Sequence, residues 1–289
     1  MQQMNPTILG LDHVVVLVRD LSTARENFQR LGFTVSERGV HSPELGTANH
    51  TIMFQDNYLE LLGIVEETPF NAPWRHILEQ REGLVGIAVA TSDATAARSA
   101  FSARSVEATP VREYSREVCH HGRTLGTASF ASTHIDQGST PGSILFACEH
   151  RTRELLWLPD LMTHTNGAER ICAVSLVSDA PRQLAECYGR VLDASPAVTG
   201  DDAYTVQYGT GHLRFMTPEL LSRDLPQSNA SSLPSPAAAG ITLQVSDLAR
   251  ARRILREDIV AGGAAGCRLD IAPEAACGVW IRIEGRISA

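Results

Sequence analysis

Two residues stand where their kind is rarely found. His13 interrupts the apolar run 11–18, and Glu60 interrupts Tyr58-Leu59-Glu60-Leu61-Leu62. A carboxylate in such a run is costly to bury alone, so it calls for a metal, a histidine or a bound ligand as partner unless its strand face is wet. A lone histidine in an apolar strand is more often a core or edge residue. Imidazole and carboxylate together are the donors that borderline divalent ions favour, and two histidines with one carboxylate leave positions open for a substrate. The question is which second histidine joins. If Gln55-Asp56-Asn57 is a three-residue turn, Phe54 faces Tyr58, Ile52 faces Glu60 and His50 faces Leu62, which puts His50, Ile52, Tyr58 and Glu60 on one face. His150, ending the apolar segment 144–150, is the other candidate, and the residues leave the choice open. Cys119-His120-His121 is a weaker grouping, because neighbours on a strand point to opposite faces, and it reads as surface or substrate contact. His164 and Asn166-Gly167 read as turn residues.

The elements that must position these groups repeat. In 11–18 one face carries His13, Val15 and Leu17 and the other Val14, Val16 and Val18. Asp20 then stands at a helix N-cap, Leu21, Ala24, Phe28 and Leu31 fall on one helical face, and Gly32 marks the stop. The same plan returns at 84–90 with Asp93, at 171–177 with Asp179, and at 241–245 with Asp247. Starts separated by 70 to 90 residues exceed solenoid repeats of roughly 20 to 50 and suit four mid-sized modules. In module one the helix is followed by candidate strands at 33–37, 49–54 and 58–64, and in module two at 106–119, 128–134 and 144–150. Module three closes with a hairpin at 204–208 and 212–216. Module four offers only 268–271 and 279–283 and reads as shortened, and 227–239 reads as a linker.

The net charge of −8 and the absence of any run of Lys and Arg argue against a nucleic-acid partner. No apolar run approaches the roughly 18 residues of a membrane span. Residues 1–7 lack the basic and apolar regions of a secretory leader, so a soluble cytoplasmic protein with no membrane partner is expected. The six cysteines form no CxxC pair and read as buried, reduced thiols.

Four βαβββ modules, with Leu11-Asp12-His13-Val14-Val15-Val16 and Tyr58-Leu59-Glu60-Leu61, resemble the vicinal oxygen chelate superfamily in its glyoxalase-like branch. Two further segments are similar to that branch: Cys148-Glu149-His150-Arg151-Thr152-Arg153-Glu154-Leu155-Leu156-Trp157 and His164-Thr165-Asn166-Gly167-Ala168. The modular pattern covers nearly the whole chain, and the specific motifs lie in the first 168 residues. The resemblance implies an α+β fold of four modules paired into two domains of the glyoxalase, bleomycin-resistance and extradiol-dioxygenase kind. An N-terminal domain at 8–152, a linker at 153–168 and a C-terminal domain at 169–289 follow. Side chains from the first and fourth strands of a module would face a shared cleft and, in active members, hold a divalent metal.

Carried over by residue, the resemblance puts His13 on the first-strand and Glu60 on the fourth-strand ligand position of module one. In module two Gly86 takes the first-strand position and His150 lies near the fourth. Cys172 and Gly240 stand at the first-strand positions of the second half, which makes the C-terminal domain structural and an extradiol dioxygenase the weaker expectation. The implied function is a metal-dependent lyase or isomerase acting on a small oxygenated substrate. Zn, Fe, Mn or Ni would sit at His13, Glu60 and either His50 or His150, and Glu60 or His50 would move the proton. The alternative is a metal-free small-molecule binding or sequestration protein of the drug-resistance type. Pairing of modules within one chain or across a homodimer is left open.

Overall fold

Each module is built by the same local chemistry. In module one, β1 (Gly10–Val18) leads to Asp20, whose extended backbone and side chain cap α1 (Leu21–Arg30) by accepting from the Thr23 N–H at 2.6 Å. The helix buries Leu21, Ala24 and Phe28, and β2 (Gly39–Val40), β3 (Thr47–Met53) and β4 (Tyr58–Ile64) follow. The connection carries α2 (Ala72–Gln80), and module two is β5 (Gly83–Ala90), α3 (Ala94–Ala103) capped by Asp93, β6 (Arg112–His120), β7 (Arg123–His134) and β8 (Ile144–His150). Module three is β9 (Ala168–Val177), α4 (Pro181–Leu192), β10 (Ala197–Gly200), β11 (Ala203–Tyr208) and β12 (Gly211–Met216). After α5 (Pro218–Asp224), module four runs β13 (Ala237–Val245), α6 (Leu248–Ile254) capped by Asp247, β14 (Val260–Gly262), β15 (Arg268–Ile271) and β16 (Trp280–Gly285). This computed structural model describes residues 7–225, 232–255, 260–262 and 268–286.

The strands form two eight-stranded sheets of identical plan, β2-β3-β4-β1-β5-β8-β7-β6 and β10-β11-β12-β9-β13-β16-β15-β14. Within each, two modules join through their first strands, β1 against β5 and β9 against β13, both antiparallel and within one chain. The first sheet curls until its edges meet. A Cβ on Gly39 of β2 would lie 2.8 Å from the Arg116 guanidinium of β6, although these strands do not pair as a ladder. On β1, Val14, Val16 and Val18 join Phe28 and Phe101 in a core that continues through Val174, Tyr188 and Phe215 of the second half. Val15 and Leu17 face the opposite way, into the cup, with Leu62, Trp74 and Phe146. Each fully buried aromatic or branched side chain contributes roughly 2–3 kcal/mol to holding the layers together.

Specific polar bonds tie the halves. Asn57 donates its amide to the Ile171 carbonyl and accepts from the Ile171 N–H, both at 2.9 Å. The Tyr188 hydroxyl donates to the Pro141 carbonyl at 3.1 Å and lies 3.0 Å from Ser143 Oγ. The second cup is filled. Trp280 packs there with Leu221 of α5 and Leu225 just after it, and buried Arg282 reaches Asp270 (2.9 Å) and Asp224 (2.7 Å). A side chain on Gly240 would strike Trp280, with the Trp280 carbonyl at 2.4 Å.

Several sequence expectations are corrected. The first hairpin pairs Met53 with Tyr58, Thr51 with Glu60 and Asn49 with Leu62, because the loop has four residues, 54–57. Phe54 is drawn into the core beside His164 and so leaves the ladder. That single-residue shift turns every β3 side chain over. Segment 33–37 is not a strand. The α4 cap is Ala180, not Asp179, because Pro181 fits the first helical turn and sets the start. Module four is not shortened, since β14 completes its three later strands. Within the proposed linker, 227–231 lies outside the described residues and Ala237–Ala239 already belongs to β13. Of the cysteines described, all five are free, Cys148 and Cys277 are buried, and Cys119 is exposed, against expectation.

Candidate functional site

Strand β1 carries a bulge that matters chemically. Its partners on β5 pass from Leu11↔Val89 to His13↔Ala88, so Asp12 is an extra residue, and Asp12 and His13 end on the same side. Asp12 Oδ1 lies 2.5 Å from His13 Nδ1 and 2.9 Å from His150 Nε2, at 2% exposure. Burial pushes the Asp12 carboxyl up, but the neighbouring His150 charge and the bonds from both imidazoles outweigh it and hold the group far below the usual carboxylate range. With Nδ1 engaged, His13 turns Nε2 towards the cup. Tyr58 stacks on the ring at 4.3 Å and Phe146 meets its edge at 5.4 Å.

Glu60 faces His13 across the cup, with Oε2 3.8 Å from Nε2. Its other oxygen accepts from Asn49 Nδ2 at 2.6 Å, a contact made possible by the true register of β3. His41 lies beyond, with Nδ1 2.7 Å from Thr47 Oγ1 and Nε2 3.9 Å from Glu60 Oε1. Burial pulls the His41 pKa down, against the opposing pull of Glu60. These groups open onto a cavity of about 150 Å³, walled by Val15, Leu62, Phe70, Trp74, Phe130 and Phe146 and including Arg116, Ser132 and His134. His134 is pushed down to about 4 by burial and by Arg112, so it is neutral at pH 7.

The other expected residues fall elsewhere. His50 turns away from Glu60, is 4% exposed, and bonds the Ser36 carbonyl through Nδ1 at 2.8 Å. It does not come to the cup, because of the register shift. His150 lies behind the cup wall among Tyr58, Phe130 and Trp157 and reaches Asp12 instead of the cavity. Gly86 has no room for a ligand, since a Cβ there would lie 2.9 Å from that of Val15. Counting back from the caps, His13 precedes Asp20 as Gly86 precedes Asp93. Glu60 pairs with Val15 as Phe146 pairs with Ala88, so module two offers Gly86 and Phe146 where module one offers His13 and Glu60. His164 is a buried tie, accepting from Thr34 N–H at 3.0 Å and bonding the Met53 carbonyl at 2.9 Å, more than the turn residue expected. His120 and His121 do not diverge. The turn formed by His121 (φ 50°) and Gly122 (φ 68°) swings both rings onto Asp160 Oδ2, at 2.7 and 3.2 Å.

Two donor groupings near His13 differ in chemistry. Ligand atoms of Asp12, His13, Cys148 and His150 all lie within 4.8 Å. In that group, however, Asp12 already serves both imidazoles, and burial raises the Cys148 thiol well above its ordinary value, which keeps it protonated. The Nε2 atoms of His13 and His41 flank Glu60 at 3.8 and 3.9 Å, too long for hydrogen bonds. Donors bound about 2.1 Å from one divalent ion stand roughly 3 to 4 Å apart, so each histidine is spaced from Glu60 as a fellow ligand would be. The two face different carboxylate oxygens, however, and the three ligand atoms do not all lie within 4.8 Å of one another, so the set would have to draw in to share one ion.

The chain resembles a hypothetical protein from Staphylococcus aureus in structure, with TM-score 0.69 and 14% identity, covering 96% of this chain and 99% of that one. A mutant of 4-hydroxymandelate synthase from Streptomyces coelicolor gives TM-score 0.64 at 12% identity, over 98% and 94%. A xylose isomerase-like TIM barrel/4-hydroxyphenylpyruvate dioxygenase fusion protein gives 0.60 at 17%, over 99% of this chain and 50% of that one. At these identities the likeness concerns the fold. No curated protein is close enough in sequence to count as a relative. Among the described residues no helix is long and apolar enough to cross a membrane. A glyoxalase-like domain matches over residues 11–192, more than half the chain, and the chain therefore belongs to the glyoxalase-like domain family.

Proposed function

We propose that this chain is a metal-dependent lyase or isomerase acting on a small oxygenated substrate in the cup of its first sheet. The observation that carries the reading is the pair of imidazole nitrogens, His13 Nε2 and His41 Nε2, turned from both sides towards the Glu60 carboxylate at the floor of an apolar cavity. His13, Glu60 and His41 would hold a divalent ion, which supplies Lewis acidity to a substrate oxygen. His41 takes the place that His50 or His150 was expected to fill.

The rest is done by the chain itself. Asp12 fixes the His13 tautomer, with the proton on Nδ1 and the lone pair on Nε2. Asn49 holds one Glu60 oxygen and leaves the other facing the cavity, where it can take or return a proton from a carbon beside a carbonyl. Apolar walls exclude water and bind the substrate body. The neutral His134 ring, stacked on Phe146 at 4.7 Å, offers a hydrogen-bond partner without added charge.

Gly86 and Phe146 at the module-two positions favour a second reading, a metal-free protein that sequesters a small apolar molecule. Elemental analysis of protein purified without a metal-affinity tag separates the two. Near-stoichiometric Zn, Fe, Mn or Ni, lost in His13→Ala and in His41→Ala, is expected. Metal-free protein that binds small aromatics equally well with and without His13 would overturn the enzyme reading in favour of sequestration.

A further inference from the structure

The cup contains a cation with no ion-pair partner in contact among the described residues. Arg116 projects from β6 into the cavity, and its one described hydrogen bond goes from Nη1 to the Glu117 carbonyl at 3.3 Å. Among the described residues no carboxylate oxygen lies within 4.0 Å of its guanidinium nitrogens, whereas Arg75, Arg151, Arg268 and Arg282 all have such partners. A second observation points the same way. Ser132 is 3% exposed and lines the cavity beside Tyr114 of the same wall, and the two hydroxyls interact with each other, so that this wall of the cup is polar next to the guanidinium. A few polar groups set in an otherwise apolar cavity are what orients a ligand, and here they gather around Arg116.

We propose that Arg116 anchors the carboxylate of the substrate, which is a small organic acid with an apolar, ring-sized body. The guanidinium presents a fork suited to two carboxylate oxygens. A cavity of about 150 Å³ is the size that takes a benzene ring, and its walls are aromatic and aliphatic. Location adds a constraint on the chemistry. A Cβ on Gly39 would touch Asn49 Oδ1 at 2.5 Å and Arg116 Nη1 at 2.8 Å, so the guanidinium lies beside the amide that holds Glu60. The anchor and the Glu60 carboxylate are separated by one side chain. The carbon handled by Glu60 is then close to the acid group of the substrate rather than at its far end. This inference rests on the catalytic reading above for where reaction occurs, but the anchor itself can be tested without turnover.

The probes are phenylacetate and its neutral isostere phenylacetamide, titrated calorimetrically into the full chain. Phenylacetate is expected to bind at least about tenfold more tightly than the amide, the size of one charge-assisted contact. Arg116→Gln should bring the two within about twofold, Arg116→Lys should keep part of the gap, and His13→Ala should keep it all. Equal binding of acid and amide by the wild-type chain, or a gap that survives in Arg116→Gln, overturns the anchor. If Arg116→Gln fails to fold by circular dichroism, Gly39→Ala, which displaces the guanidinium by contact, is read in its place with the same expected loss. An Arg116-dependent preference in protein that holds no metal would leave the anchor standing and remove the enzyme reading. Stoichiometric metal without any preference for the acid would do the reverse.

Discussion

Asp12→Asn isolates the charge between the two imidazoles while leaving its shape. In the wild-type chain one oxygen of this buried carboxylate serves His13 Nδ1 at 2.5 Å and His150 Nε2 at 2.9 Å. A carboxamide oxygen in the same place still accepts both, but each bond falls from roughly 1.5–3 kcal/mol for a charged acceptor to about 0.5–1.5 kcal/mol for a neutral one. The change should therefore cost about 2–3 kcal/mol of folding stability, and the new amide protons add to this by being buried without an evident acceptor. His13 also becomes a poorer donor at Nε2. Loss of a second carboxylate of this kind weakens metal binding roughly 10- to 100-fold. Competition with a chromophoric chelator reads the metal affinity, and urea denaturation of the metal-free chain reads the stability. A folded Asp12→Asn chain with metal affinity within twofold of wild type would show that Asp12 does not prepare His13 for a ligand, and the reasoning would fail there.

Acid should destabilise the fold through His164, whose pKa is pushed down to about 4 by burial. Because the unfolded chain takes up this proton first, stability is intact above pH 6.5 and is lost as pH falls from there to about 4. The loss amounts to roughly 3 kcal/mol at about 1.4 kcal/mol per unit, and a pH series of urea midpoints should be shallower in His164→Gln. His50→Gln should leave metal content unchanged and cost about 1 kcal/mol for the lost bond to Ser36, and metal loss would restore His50 to the site. Arg282→Ala removes the buried cation between Asp270 and Asp224, and because both keep Arg268 as a partner and Asp224 is partly exposed the cost should be at or below about 3 kcal/mol in urea denaturation. Metal affinity is expected to stay constant in that variant, since the second cup holds no part of the site. Tyr188→Phe removes the hydroxyl that joins α4 to 140–143 and should cost about 1–2 kcal/mol, read as a lowered thermal midpoint.

The repeated modules were legible because alternation along β1 and carboxylate caps such as Asp20 and Asp93 are local signals that tertiary packing reinforces. Asp12 was not, because adjacent strand residues point apart unless a bulge intervenes, and bulges leave no periodic mark. His50 was put on the face of Glu60 by a turn counted one residue short, an error that strand periodicity magnifies into the wrong face. His41 lies between Gly39 and Gly46 among turn formers, where spacing carries no directional information, and only its pairing with Thr47 turns it inward. Arg116 carries no signal in the sequence, because it sits in a strand whose alternate residues are exposed and only the curl of the sheet brings β6 to β2. His120 and His121 were separated on the assumption of a continuing strand, which the left-handed turn at His121 ends.

The contact between β2 and β6 is the only join around the first cup not stitched by a ladder among the described residues. Parting it sacrifices side-chain touches such as those around Gly39 and no main-chain bonds, so the wall can spread at this line while the remaining strands stay paired. Arg116 stands at this line, so a spread there would widen the room beside its guanidinium without unpairing a strand. The give of the cup is thus set by where the sheet stops short of closing.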